Sequence, residues 1–287
     1  MNIAGFDLRG WEYSNDNSHD NQATVLGVNW GKKADTLAVK IPVFPELRDS
    51  KITKRNILSL AHRIFDLLGF VCPVMLCPRI LLQETWSENL TWDDEVPDEL
   101  KNKFLKWMED LKELNEIRIP RCFLGQISES DNVSLHVFCD ASKVAYATVI
   151  FICVENSDGV KVHFVQAKTR VAPARKGNTD ARTSIPRLEL LAATIGARLA
   201  RNVLDALNFK TLKLFYCTDS STVLAWIQRE CNWATFVYNR VKEIRMLSDP
   251  ACWHHVQGSL NPADLPSRGC TVKQIMSAKW WERPVAI

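Results

Sequence analysis

The fold of this chain is decided by residues 133–167, which read VSLHVFCDASKVAYATVIFICVENSDGVKVHFVQA. Three runs in this stretch, residues 133–139, 144–154 and 160–167, are rich in β-branched and aromatic side chains, which is typical of strands. The second and third runs are linked by Asn156-Ser157-Asp158-Gly159, which is a hairpin signal. The stretch therefore predicts three antiparallel strands with short connections.

Downstream of this stretch, helical and strand patterns alternate. Apolar residues recur every three or four positions in residues 188–207, which predicts a long helix. Similar patterns predict helices at 220–229 and 234–247, strands at 211–217 and 252–256, and a last helix that opens at Pro262. The order β-β-β-α-β-α-α-β-α predicts an α/β fold with helices on the faces of the sheet.

The chain upstream of these strands has a different pattern. Short β-rich pieces within residues 24–39 predict a fragment of a small sheet, and from about Thr53 the pattern becomes helical. The clearest helical periodicity spans residues 101–117, and a proline and a polar stretch follow it. The sequence therefore predicts two domains, residues 1–130 and 131–287, with their border near residue 130.

Composition excludes several classes of protein. With 287 residues, of which 46% are hydrophobic and 24% charged, the chain can bury a core and is not a disordered chain. The uncharged run 144–154 is far shorter than the ~18 residues of a membrane-spanning helix, and the first residues lack a secretion signal. Nine cysteines without a CxxC pair predict a reducing intracellular compartment rather than disulfides or a zinc site.

Four carboxylates fall at the ends of predicted elements. Asp140 and Asp219 lie where strands end, and Glu189 and Asp264 lie where helices begin. Each acid alone is more often a cap or a strand end, but a sheet can gather four such ends at one edge. Oxygen-only ligands suit Mg²⁺ or Mn²⁺, and two such ions can clamp the attacking and leaving oxygens of a phosphodiester. The four acids together predict hydrolysis of a nucleic-acid backbone.

A basic stretch directly precedes Glu189. Residues 161–187 contain seven lysines and arginines against one acid. Such runs are often only a solvated surface, but the neighbouring acids favour contact with a phosphate backbone. The candidate nucleic-acid contacts are Lys168, Arg170, Arg175, Lys176 and Arg187. Arg187 could instead pair with one of the acids.

Several segments resemble known motifs. Residues 138–142, 187–190, 217–220 and 261–264 resemble the four acidic motifs of the ribonuclease H fold. More narrowly, residues 53–55, 65–69, 167–173, 185–190 and 261–269 resemble the Pol polyprotein of Pao/BEL-type LTR retrotransposons. This second resemblance runs along nearly the whole chain, and the region in that family also carries the label of a Pao retrotransposon peptidase.

The resemblance implies a fold and an activity. Residues 131–287 would form an RNase H-like mixed sheet with flanking helices, and residues 1–130 a mostly helical C-terminal part of the reverse transcriptase, its thumb and connection. The implied activity is cleavage of the RNA strand of RNA/DNA hybrids during reverse transcription. Asp140, Glu189, Asp219 and Asp264 would be the catalytic residues and the ligands of two Mg²⁺ or Mn²⁺ ions. The implied partners are the hybrid and other parts of Pol, in the cytoplasm or a virus-like particle, without a membrane.

Three other enzyme classes fit the sequence less well. An aspartic peptidase of the retroviral type needs an Asp-Ser-Gly or Asp-Thr-Gly turn, and the chain contains neither triplet. A polymerase needs adjacent metal-binding aspartates on a hairpin, whereas the pair Asp93-Asp94 lies in a polar stretch without hairpin flanks. A transposase or integrase expects the order Asp-Asp-Glu, whereas the order here is Asp-Glu-Asp-Asp.

A degenerate or domesticated copy, which binds nucleic acid without cutting it, stays open as the alternative. The four acids argue against it. Cellular ribonucleases H carry a histidine in a glycine-containing loop before the last acid, and the corresponding segment here, residues 258–261, contains none. His254 and His255 lie nearby in the strand predicted at 252–256, where core or structural roles are expected for them.

Overall fold

The computed structural model describes residues 22–43, 51–122, 131–157, 159–173, 184–207, 212–278 and 280–281. The strands of this part of the chain form two sheets, one of four strands and one of five. Within the same residues, no helix is long and apolar enough to cross a bilayer.

The N-terminal segment combines the small sheet with helices, as its sequence pattern predicts. Its strands are β1 (Gln22–Val25), β2 (Val28–Gly31), β3 (Thr36–Val39) and β4 (Ile119–Pro120), all paired antiparallel. Its helices are α1 (Lys54–Ala61), α2 (Cys72–Ser87) and α3 (Asp98–Asp110). The helix predicted at 101–117 therefore starts and ends earlier, and its last turn is a 3-10 helix, Leu111–Glu116.

The five-stranded sheet confirms the α/β class. Its strands are β5 (Asn132–Ala141), β6 (Ala145–Asn156), β7 (Gly159–Val171), β8 (Lys213–Thr218) and β9 (Trp253–His255), in the order β7-β6-β5-β8-β9. Strands β5, β6 and β7 pair antiparallel, whereas β8 is parallel to β5 and β9 is parallel to β8. This is the mixed sheet that the resemblance implies.

Helices flank both faces of this sheet. They are α4 (Ile185–Leu207), α5 (Ser221–Gln228), α6 (Thr235–Leu247), α7 (Asp264–Arg268) and α8 (Val272–Ala278). The last helix, expected to open at Pro262, is thus two short helices, because Gly269 ends α7 with a φ of +79°. Helix α4 packs so closely on the sheet that a Cβ on Gly196 would lie 2.6 Å from the Sγ of Cys139.

The opposite face of the sheet shares its core with the N-terminal segment. Phe138 and Phe151 of the sheet belong to the same buried cluster as Val74 and Phe104 of the N-terminal helices. Helix α2 packs against β7, α7 and α8. The border predicted near residue 130 therefore falls between two parts that bury apolar surface together, and the two-domain division stays a prediction.

The loop between α1 and α2 fastens the N-terminal segment to the edge strand β7. The carboxylate of Asp66 accepts hydrogen bonds from the backbone N–H groups of Gly69, Phe70 and Val71, at 2.8, 3.1 and 3.0 Å. The carbonyl of Leu68 accepts a bond from the N–H of Ala167 at 2.8 Å. The loop therefore satisfies part of the hydrogen-bonding edge of β7, an edge that would otherwise be open to other chains.

Candidate active site

Strand register places two of the four predicted acids side by side. In the parallel pairing of β5 and β8, Cys139 lies opposite Thr218. The residues that follow, Asp140 and Asp219, therefore lie at the same end of the sheet, on adjacent strands. Asp140 is still within β5 and is only 4% exposed, whereas Asp219 follows directly after β8.

Glu189 reaches the same place from the first turns of α4. Its carboxylate is hydrogen-bonded by the side chain of Ser220. Ser220 is also the N-cap of α5, where its Oγ accepts a bond from the N–H of Val223 at 3.2 Å. Asp140, Glu189 and Asp219 line one cavity of about 580 Å³ at this end of the sheet.

Burial raises the pKa of each of the three acids, and the charge of at least one neighbouring acid adds to the rise in each case. Burial is the main cause of the raised pKa of Asp140, and the charges of Asp219 and Asp264 add to it. Burial also raises the pKa of Asp219, with Glu189 contributing, and that of Glu189, with Asp140 contributing. Partly buried carboxylates that repel one another form a region of negative potential, which attracts a cation.

Asp264, the first residue of α7, lies next to this group but makes an ion pair of its own. The Nε of Arg268 donates to its Oδ1 at 2.5 Å, and the side chain of Arg268 lines the acidic cavity. The neighbouring Ser267 is fully buried, and its hydroxyl group contacts two acceptors, the Oδ2 of Asp140 and the carbonyl oxygen of Asp264, between which its one proton is shared. Helix α7 therefore touches the acidic group through Ser267, Asp264 and Arg268.

The chemistry of this donor set fits Mg²⁺ or Mn²⁺. All the donors are carboxylate oxygens, and the Oδ1 of Asp219 is buried without a hydrogen-bond partner, which leaves an acceptor for a cation. In the residues that the structure describes, no three acidic, histidine or cysteine side chains already converge on a single metal position. The structure thus brings Asp140, Glu189 and Asp219 into one cavity with Asp264 beside it, and their roles as metal ligands stay predictions.

Residues 53–220, more than half of the chain, match the Pao retrotransposon-like RNaseH-like domain. The chain belongs to this family. The match confirms the resemblance to Pao elements, and the matched family is described as RNaseH-like, whereas the peptidase label is not part of its description. No curated protein matches the chain.

The Pao-family chain is also similar to solved structures. RNase H1 from the halophilic archaeon Halobacterium salinarum NRC-1 shares 14% identity over 46% of this chain and 90% of its own, with a TM-score of 0.28. LC11-RNase H1 in complex with an RNA/DNA hybrid shares 12% identity over 46% of this chain and 91% of its own, with a TM-score of 0.28. The foamy viral protease-reverse transcriptase in complex with dsDNA shares 11% identity over 83% of this chain, with a TM-score of 0.43. The Pao-family chain covers 45% of that viral chain, less than half of its length.

Sequence reasoning selected Asp264 but missed the residues around it. Besides Ser267 and Arg268, Asn261 is buried, and its Nδ2 donates to the carbonyl of Cys139 at 3.1 Å. This bond ties the start of the α7 region to the residue that precedes Asp140. All three lie in the segment 261–269 that carries the Pao resemblance, so the signal was present, but only the acid was assigned a role.

The loop that lacks the histidine lies against the acidic group. A Cβ on Gly258 would meet the Oδ2 of Asp219 at 3.0 Å. His254 and His255 are in β9, as predicted, but both are exposed, so of the expected core or structural roles the core role is wrong, whereas the ring of His254 lies 5.8 Å from that of Phe215. The reason is that the buried positions here are Trp253, at the start of this short edge strand, and Val256, directly after it.

The adjacent aspartates considered for a polymerase have structural partners instead. Asp93 accepts two hydrogen bonds from the guanidinium of Arg55, at 2.9 and 3.0 Å. Asp94 accepts a bond from the N–H of Thr91 at 2.7 Å. Both aspartates are exposed and lie in a surface turn rather than on a hairpin.

The described basic candidates lie at the acidic end of the sheet. Lys168 and Arg170 are exposed on β7, on either side of Thr169, which shares a row across the sheet with Ala147 and Asp140. Two strand spacings separate β7 from β5, roughly 10 Å. Arg187 is exposed, and its guanidinium lies over the ring of Phe236 at 5.2 Å. The remaining candidates, Arg175 and Lys176, lie outside the described residues.

Proposed function

We propose that this Pao-family chain is an RNase H-type endonuclease that cleaves the RNA strand of RNA/DNA hybrids during reverse transcription. The observation that carries the proposal is the cavity lined by Asp140, Glu189 and Asp219, three carboxylates that strands β5 and β8 and helix α4 bring to one end of an RNase H-like sheet. Burial and neighbouring carboxylates raise the pKa of all three acids, which supports a site built to hold positive charge.

The four acids are assigned as the residues that hold two Mg²⁺ or Mn²⁺ ions. When bound, the ions would supply stabilisation of the attacking and leaving oxygens of the phosphodiester. The chain's own residues orient the ligands: Ser267 donates to Asp140, and Ser220 donates to Glu189. Such hydrogen bonds fix the direction of a carboxylate before an ion arrives, which lowers the cost of binding it.

The proposal extends to the substrate and the partners. Lys168, Arg170 and Arg187, together with Arg175 and Lys176, would contact the backbone of the hybrid. Residues 1–130 are assigned to the thumb and connection of the reverse transcriptase, and the partners to other parts of Pol. The location that follows from this assignment is the cytoplasm or a virus-like particle.

The test is cleavage of a labelled hybrid by the purified chain with and without Mg²⁺. We expect cuts in the RNA strand with Mg²⁺ or Mn²⁺, no cuts with a chelator, and poor turnover with Ca²⁺, which is larger and more loosely coordinated. Duplex DNA and duplex RNA of the same sequence serve as substrate controls and should stay intact. Cleavage that persists in the chelator would contradict the proposed mechanism.

One observation favours a second function, a non-catalytic module that binds nucleic acid. The loop packed against Asp219 contains Gly258, Ser259 and Leu260 and lacks the histidine of cellular ribonucleases H. A module of this kind would bind the hybrid but leave it uncut with every divalent ion. The same cleavage assay, run beside a binding assay, therefore separates the two functions.

Neutralising Lys168 and Arg170 together should weaken binding of the hybrid and leave cleavage at saturating substrate nearly unchanged. Each phosphate contact that is lost should reduce the slope of log K against log salt by roughly 0.7–0.9. The measurement is the affinity of the Lys168→Gln, Arg170→Gln variant for the hybrid across a salt series. Lys161→Gln, at the other end of β7 opposite Val154, is the matched control, and an equal loss in both variants would contradict the assigned contact.

A further inference from the structure

One of the side chains that line the acidic cavity is itself positively charged. The side chain of Arg268 lines the cavity together with Asp140, Glu189 and Asp219. Its Nε is 2.5 Å from the Oδ1 of Asp264, and the charges of Asp140 and Asp219 also act on it. One guanidinium therefore faces the same carboxylates that the proposed function assigns to divalent ions.

The ion pair between Arg268 and Asp264 contributes little to holding α7 in place. The side chains of Arg268 and Asp264 are 66% and 39% exposed and lie four residues apart on one short helix, and exposed pairs of this kind stabilise proteins very little. The helix is anchored by other contacts: the Oγ of Ser142 donates to the carbonyl of Ser267 at 2.7 Å, and the Oγ of Thr169 donates to that of Pro266 at 3.1 Å. The main effect of the Arg268 guanidinium is thus electrostatic, because α7 does not need it for packing.

We propose that Arg268 is an internal counter-ion that compensates the acidic cavity without metal and competes with divalent ions for the carboxylate of Asp264. This inference rests on the proposed function, because it assumes that the cavity binds divalent ions. Arg268 then has two opposing effects: it stabilises the metal-free fold by reducing repulsion among the acids, and it weakens metal binding. The proposal also concerns Asp264 directly, because Arg268 occupies Oδ1, one of the two oxygens that its carboxylate could offer to an ion.

The direction of both effects follows from Coulomb's law. A positive charge within a few ångströms of a binding site repels an incoming cation, and at partly exposed positions solvent screening leaves a modest interaction. Removing it should therefore strengthen Mn²⁺ binding by about tenfold. In a chelator, the same change should lower the melting temperature, since the acids then repel one another without compensation.

The experiment is calorimetric titration of the full chain with Mn²⁺ alone, comparing Arg268→Gln with Arg268→Lys. Glutamine keeps a hydrogen-bond donor and removes the charge, whereas lysine keeps the charge. Arg198→Gln is the matched control, because Arg198 makes a similar pair with Glu243 at 2.5 Å on α4 and α6, away from the residues that line the cavity. We expect tighter binding and a lower melting temperature in chelator for Arg268→Gln only.

Three results would overturn the inference in different ways. Equal or weaker Mn²⁺ binding by Arg268→Gln, in a chain whose parent binds Mn²⁺ and cuts the hybrid, would overturn the counter-ion role and leave the proposed function intact. Weaker hybrid binding with unchanged Mn²⁺ affinity would make Arg268 a phosphate contact instead. Failure of both the parent and Arg268→Gln to bind Mn²⁺ would overturn the counter-ion role and the metal-dependent function together.

Discussion

Asp140→Asn should abolish cleavage of the RNA strand while the chain still binds the hybrid with nearly the parental affinity. Asparagine keeps the size of the side chain and an oxygen that can accept from Ser267, but it removes one charge from the centre of the acidic group. Loss of an outer hydrogen-bond partner lowers metal affinity or activity by roughly 10–100-fold. Loss of a ligand charge should lower the cleavage rate by more than that. The measurement is single-turnover cleavage beside equilibrium binding of the same labelled hybrid.

Stability separates this effect from unfolding. Because burial raises the pKa of Asp140, its ionised form is disfavoured in the folded state at neutral pH, and the neutral amide removes that cost. The variant should therefore melt at or above the parental temperature in a chelator. Asp205→Asn, on an exposed acid that pairs with Arg201, is the control for the chemical change and should cut normally. If Asp140→Asn cuts as fast as the parent, the enzyme proposal fails and the binding module takes its place.

The central sheet could be predicted because β6, and the second half of β5, are buried on both faces. The sequence run at 144–154 is almost continuously apolar, and the run at 133–139 alternates before it becomes apolar. The observed strands β5 and β6 differ from these runs by only a few residues at their ends. The acids at element ends could also be placed at one edge. Once the order of the strands is known, the end of each strand fixes the position of the acid that directly follows it.

The surroundings of the acids could not be predicted, because they depend on contacts between distant parts of the chain. Ser267 lies 127 positions from the carboxylate that it contacts, and no local pattern marks a serine as the partner of a buried acid. Arg268 looks like an ordinary helix-end cation until α7 is placed against the sheet. The core that joins α2 to the sheet likewise gathers residues from distant parts of the chain, such as Val74 and Phe151, which no local pattern relates.

One Pao-like segment, residues 65–69, showed its role only in the structure. Gly69 has a φ of +83°, and a Cβ there would lie 2.0 Å from the backbone oxygen of Ala167 in β7. Any other residue at position 69 would therefore raise the free energy of the folded state in two ways. It would have to adopt the left-handed backbone conformation, and its Cβ would collide with a backbone atom that cannot rotate out of the way. The loop would have to leave the edge of β7 to relieve the collision.

Gly69→Ala should destabilise the chain by about 3 kcal/mol or more, a large share of the stability of a typical domain. The measurement is the midpoint of unfolding in denaturant. Gly159→Ala is the matched control: Gly159 also has a positive φ, +124°, but nothing lies within 4 Å of its Cβ position, so it carries only the backbone cost. Equal losses in the two variants would show that the approach of the loop to β7 is not a constraint.

Gly69→Ala should also disturb the acidic site, because α2 begins directly after this loop. Helix α2 packs on α7, where the N–H of Cys270 donates to the carbonyl of Pro73 at 3.3 Å and Gly269 lies against Leu76. Displacing α2 would release the helix that carries Asp264, Ser267 and Arg268. We therefore expect Gly69→Ala to lose cleavage at temperatures where it is still folded, whereas Gly159→Ala keeps it. Full activity in folded Gly69→Ala would show that the N-terminal segment only supports the fold and does not position the site.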